Sequence, residues 1–99
     1  MLYARMNTAR WNPDRYDEAM KLTEDTIIPA YQEHPGFAGY ILLTEPGNDK
    51  GVAITLWESE ETRESSIEIA QRMTGELRGI LAEPPLTENY EVTFDVRGA

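Results

Sequence analysis

The chain reads as an α+β protein of ferredoxin-like topology, β-α-β-β-α-β, in which a four-stranded antiparallel sheet carries two helices on one face. Three observations predict it. Two segments, 16–31 and 62–81, repeat apolar residues at three- and four-residue spacing, and each lies between β-compatible runs. A loop rich in turn formers, Glu45 to Gly51, joins the two central runs as a hairpin. The C-terminal run alternates Tyr90, Val92, Phe94 and Val96 against Glu91, Thr93, Asp95 and Arg97, as a strand with one wet face does.

The first strand runs from Leu2 to Trp11, and "WNPD" then offers Asn12 as a helix N-cap with Pro13 at the first helical position. Tyr16, Ala19, Met20, Thr23, Ile27, Ala30 and Tyr31 form the buried stripe of the first helix. Pro29 lacks the amide that would bond the carbonyl of Asp25, so this helix should kink or restart around Ile28. "HPG" at 34–36 ends it. Strands follow at Phe37 to Thr44 and Val52 to Trp57, paired antiparallel. Ser59 caps the second helix, where Glu58, Glu60 and Glu61 sit at its positive end. Its buried stripe is Thr62, Ser66, Ala70, Met73, Leu77, Ile80 and Leu81, Glu68 can pair with Arg72, and Gly75 and Gly79 favour a break near Thr74 and Gly75. "EPPL" stops this helix, and the last strand is expected over Glu88 to Arg97.

Ninety-nine residues suffice for one domain with one core. There is no cysteine, which excludes thiol nucleophiles, cysteine-ligated metals and disulfides and fits a reducing compartment, the cytoplasm. The N-terminal residues lack the regions of a secretory signal, and the apolar runs are too short to span a bilayer. The expectation is an unprocessed protein without membrane association. A net charge of −9 repels phosphate backbones, so nucleic acid is not an expected partner. RNA-recognition motifs share the topology, but the stacking positions would fall on Val52 and Ile54, which offer no aromatic platform. No phosphate-binding glycine loop, zinc helix motif or nucleophile elbow occurs, and neither a metal nor a cofactor is expected.

With both helices on one side, the other side of the sheet is bare, on the order of 400 Å² of sheet plane. The third strand is apolar on both faces: Val52, Ile54 and Leu56 point one way, Ala53, Thr55 and Trp57 the other. If the second strand buries Phe37, Gly39, Ile41 and Leu43, it still exposes Ala38, Tyr40 and Leu42. An apolar patch of this extent implies a partner, and the expectation is a homodimer with two sheets packed face to face.

The segment "HPGFAGYILLTEPGNDKGVAITLWESEE", with "WNP" after the first strand and "AEPP" before the last, resembles the antibiotic biosynthesis monooxygenase-like domains. The resemblance covers nearly the whole chain and rests on structural motifs. It implies a dimeric α/β barrel and a range of activities that includes cofactor-independent oxygenation, haem degradation and isomerisation. In haem-degrading relatives an asparagine on the first strand works with a tryptophan and a histidine on the second helix. Asn7 matches the first, but the other two positions fall near Ser66 and Glu76, and the only histidine, His34, lies elsewhere. Haem degradation is not expected.

Arg5 and Asn7 alternate with the other face of the first strand and share theirs with Tyr3, Ala9 and Trp11. The family register turns that face toward the helices. There Arg5 could stabilise a substrate anion and Asn7 could bond a developing oxyanion, with Trp57, Tyr40 and Tyr16 as aromatic walls. The plainer roles are packing for Trp57, a helix-end surface position for His34, and a structural ion pair or backbone bond for Arg5 and Asn7. Two functions follow. One is a small-molecule-binding protein, extending to a cofactor-independent monooxygenase or isomerase of an aromatic or unsaturated metabolite; the other is a non-catalytic, stress-related or regulatory ligand-binding dimer. An apolar cavity of roughly 300 Å³ with Arg5 and Asn7 pointing inward would favour the first.

Overall fold

The computed structural model describes residues 1–45 and 47–98. Pro46, part of the expected hairpin loop, lies outside the described residues. Strands β1 (Tyr3–Arg10), β2 (Phe37–Thr44), β3 (Lys50–Trp57) and β4 (Leu86–Glu91) form one antiparallel sheet in the order β2-β3-β1-β4. This is the ferredoxin-like arrangement, with the helices packed over one face.

The first helical stretch is three segments in line: a short 3-10 turn Pro13–Arg15, α1 (Tyr16–Leu22), and, after a π-helical turn Thr23–Ile27, α2 (Ile28–Gln32). The sequence places the discontinuity, and the π turn gives it a form. Thr23 Oγ1 donates back to the Ala19 carbonyl at 2.8 Å, and Pro29 has no amide to offer. The wide turn has a packing consequence. Buried Ala19, Thr23, Ile27 and Tyr31 are spaced four apart, and in an ideal helix each such step drifts by about 40°. A turn wider than 3.6 residues takes up that drift and keeps all four on the sheet. Asn12 precedes the 3-10 turn but caps nothing with its side chain; its Nδ2 donates to the Gly79 carbonyl at 3.1 Å and ties the two helical arms together.

The second arm is α3 (Glu60–Ser65) and α4 (Ile67–Glu76). Ser59 caps it in a capping box completed by Thr62. The break falls at Ser66, not near Thr74 and Gly75, because Ser66 Oγ donates to the Arg63 carbonyl at 2.6 Å and Arg5 takes the same carbonyl. The helix also stops at Glu76, short of the expected Leu81. Gly79 adopts φ +85°, a left-handed turn residue that carries the chain to buried Ile80. Glu68 and Arg72 do not pair among the described residues.

Two further expectations change. β4 ends at Glu91, so Phe94 and Val96 lie outside the sheet and are almost fully exposed. A β-bulge between Phe37 and Gly39 shifts the parity of β2. Phe37 pairs with Trp57 and Tyr40 with Thr55, so Phe37, Tyr40 and Leu42 face the helices while Ile41 and Leu43 are exposed on the open side. For β3 the odd residues Gly51, Ala53, Thr55 and Trp57 face the helices, and Val52, Ile54 and Leu56 lie on the open face with Met6, Leu86 and Tyr90.

Between sheet and helices the core is in two parts. One holds Ile27, Tyr31, Trp57 and Met73; the other holds Trp11, Ala19 and Ile80. Among the described residues no helix is long and apolar enough to cross a membrane.

Candidate functional site

The gap between the two core clusters is a cavity of about 90 Å³. Its walls draw Ile27 and Tyr31 from one cluster and Trp11 and Ala19 from the other. Its floor is the centre of the sheet, where Ala9, Gly51 and Ala53 present almost no side chain. A larger residue at Gly51 would force the Trp11 ring to shift, since a Cβ there would meet it at 2.5 Å. The π turn supplies the roof through Thr23 and Ile27, and α4 adds Ala70 and Thr74.

Asn7 lines this cavity from β1. Its Oδ1 accepts a 2.7 Å bond from Thr87 Oγ1, its cross-strand neighbour on β4, which leaves the amide NH₂ as a donor toward an occupant. Tyr40 lines the cavity from β2, with its ring centroid 6.0 Å from that of Tyr31. Neither phenol is hydrogen-bonded to another described residue. Burial pushes the Tyr40 phenol up to about 12, with the neighbouring Tyr31 adding to the effect, and burial likewise raises Tyr31. Both hydroxyls therefore stay protonated donors at neutral pH.

Arg5 shares the helix-facing side of β1 but does not line the cavity. It is 1% exposed, and its guanidinium reaches into the α3–α4 junction. Nη1 donates to Ser66 Oγ at 2.7 Å and Nη2 to the Arg63 carbonyl at 2.6 Å, while Nε has no partner among the described residues. No carboxylate pairs with it directly. Desolvation lowers its pKa, opposed by the fields of Tyr31 and Glu64. Its geometry is that of a cation holding the carbonyl end of a helix.

Trp57 faces the helices, yet it is fully buried and belongs to the solid part of the core. Tyr31, His34 and Phe37 pack edge-on around it at 6.0, 5.4 and 5.7 Å, and its indole N–H donates to Thr55 Oγ1 at 2.9 Å. His34 is half-buried at the end of α2, bonded through Nε2 to Ser65 Oγ at 2.9 Å, and lies outside the cavity. Tyr16 stands beyond the second cluster, edge-on to Trp11 at 5.7 Å, at a surface hollow beside the β2–β3 loop. The structure thus brings Asn7 and Tyr40 to one cavity and places Arg5, Tyr16 and Trp57 around its periphery.

The sequence puts Thr23 and Tyr31 on the buried stripe without assigning them to the site, and the small-residue floor was missed. The floor had a signal: Ala9, Gly51 and Ala53 share one face once β1 and β3 are paired. Among the described residues no cluster of three or more acidic or histidine side chains could hold a metal ion.

No family model matches the chain. An uncharacterised protein of Mycobacterium tuberculosis, Rv2558, is 31% identical over 68 residues, 69% of this chain, and the chain spans only 29% of that relative's length. Among solved structures, the chain is similar to SnoaB, a cofactor-independent oxygenase from Streptomyces nogalater (TM-score 0.74, 15% identity, 98% of each chain). It is also similar to the monooxygenase from the gene ActVA-Orf6 of Streptomyces coelicolor, solved with the ligand Nanaomycin D (TM-score 0.73, 18% identity, 98% of this chain and 92% of that one). At this identity the likeness is one of fold: the chain has the fold of the antibiotic biosynthesis monooxygenases.

Proposed function

We propose that this chain is a small-molecule-binding protein that works as a homodimer, with the ligand between sheet and helices. The carrying observation is the cavity itself: mostly apolar walls and a floor of small residues, with Asn7, Tyr31 and Tyr40 among the residues that line it. At about 90 Å³, and with Arg5 outside it, the cavity falls short of the roughly 300 Å³ with Arg5 and Asn7 inward that would favour a catalytic pocket, and it fits only a small occupant. Saturable movement of the Ala9 and Ala53 methyl resonances on ligand titration, lost when the cavity is blocked, is the test.

The homodimer reading rests on the open face of the sheet, where Ile41, Leu43, Leu86 and Tyr90 are all at least 40% exposed. Two such faces packed together remove this apolar surface from water. Light scattering at micromolar concentration should give twice the chain mass; a species of 11.3 kDa alone would defeat it.

Oxygenation without a bound cofactor is the second reading, favoured by the fold shared with SnoaB. Asn7 would bond the developing oxyanion, and the phenols would orient the substrate. No side chain in the cavity accepts a proton near neutrality, so such a substrate would have to ionise without a protein base. Oxygen uptake with a panel of anthrone-like quinols, abolished in Asn7→Ala, would support this reading. Its absence leaves the non-catalytic, regulatory ligand binder.

A further inference from the structure

The charge of the ligand is written into the walls of the cavity. Among the described residues that line it, none is Asp, Glu, Lys, Arg or His. The polar groups present, Asn7, Tyr31, Tyr40 and three threonines, are all uncharged. Moving an ion from water into such a site costs several kcal/mol unless an opposite charge meets it. The one buried cation on this face of β1, Arg5, cannot do so. Its two terminal nitrogens are committed to Ser66 Oγ and the Arg63 carbonyl, and it lies outside the cavity wall.

The hydrogen-bonding inventory also has a direction. Asn7 Oδ1 is occupied by Thr87, so the amide offers N–H. Thr23 and Thr74 spend their hydroxyl protons on the Ala19 and Ala70 carbonyls at 2.8 and 2.9 Å, and Thr55 accepts from Trp57. Thr23 and Thr74 are thereby left with oxygen lone pairs alone, while the Asn7 amide, the two phenols and Thr55 Oγ1 still have protons to give. Resting on the reading of this cavity as a ligand site, we infer that it takes a compact, uncharged molecule bearing a hydrogen-bond acceptor, such as a ketone, an aldehyde or an amide, and rejects carboxylates and amines of the same shape.

Three isosteric probes test this on the full chain: propionamide, propionate and propionamidine, which differ in charge and hardly in size. Binding is read from the methyl resonances of Ala9, Ala53 and Ala70. Propionamide should shift them saturably, at least tenfold more tightly than either ion. Asn7→Asp, isosteric with the native residue, should weaken the amide several-fold and raise the affinity for the amidine. Propionate or propionamidine binding the native chain as well as propionamide would overturn the inference and leave the ligand-site reading standing. If none of the three moves the cavity methyls at millimolar concentration, the ligand-site reading fails and the inference with it. Should Asn7→Asp not fold, Asn7→Ser serves: it should weaken the amide and leave the ions excluded.

Discussion

The two halves of the sheet–helix interface are built on the same strands and end differently. Around Trp57 large side chains dominate: Tyr31, Phe37 and Met73 belong to its cluster, and the indole is fully buried. Around Ala53, four residues along β3, the neighbours across the sheet are Asn7 and Leu42, the next inward position is Gly51, and a cavity remains. The difference is one of side-chain volume on a shared backbone. Close packing is the default for a protein interior, so a hollow floored by alanine and glycine is the departure on which the proposed ligand site rests. Removing side-chain volume at the solid end should therefore destabilise, whereas adding it where the hollow has room should stabilise.

The largest effect belongs to the solid end. Trp57→Ala removes a fully buried aromatic that holds Tyr31, His34 and Phe37 in place, and should cost about 3–5 kcal/mol by urea denaturation. A loss below about 1 kcal/mol would mean that the two ends do not differ in packing.

Tyr40 joins the two ends, packed on Tyr31 yet lining the cavity, and it predicts a pH effect. Its folded pKa, raised to about 12, exceeds the unfolded value near 10, so between these values the unfolded chain loses a proton that the folded chain keeps. The stability it contributes is full below about pH 10 and is lost as pH rises toward about 12, on the order of 2 kcal/mol. Alkaline denaturation should come later in Tyr40→Phe than in the native chain. Identical midpoints would place the phenol in water.

The solid end was more legible in the sequence than the hollow one, for a physical reason. Trp57, Tyr31 and Ile27 announce burial by their size and spacing; strand alternation puts Asn7 on one face with Arg5, and only the family register says that this face meets the helices. The hollow depends on what is absent, and absence shows only after pairing brings Ala9 beside Gly51 and Asn7 beside Ala53. The bulge after Phe37 was similarly hidden, since one extra residue reverses the face of Tyr40 without changing any local pattern. Arg5 was read as a charge for a substrate. The structure uses it on a helix carbonyl, a partner that depends on where the second helical arm breaks. The end of β4 was displaced because Val92, Phe94 and Val96 alternate as well as Leu86, Glu88 and Tyr90 do, and alternation does not say which of them β1 will pair.

At the hollow end, Gly51→Ala tests the floor by overfilling it. The added Cβ would meet Trp11 Cη2 and Cζ3 at 2.5 Å, and Trp11 is itself buried, so the ring must move. A cost of about 1–3 kcal/mol is expected, with a change in Trp11 fluorescence. Free accommodation would mean that the second cluster is loosely packed.

Ala53→Val should have the smallest effect on stability and the opposite sign. The side chain of Ala53 points into the cavity from the middle of β3, flanked by Asn7 and Leu42, and two more methyl groups there enter empty space. Valine also suits a strand better than alanine. Cavity filling of this kind is worth about 0.5–2 kcal/mol, so the variant should melt higher than the native chain and bind no ligand in the cavity. The same substitution in a merely imperfect core would raise stability at no functional cost. The pairing of a gain in melting temperature with a loss of ligand-induced methyl shifts is therefore what separates a site from a packing defect, and it can be read on one variant in one pair of measurements.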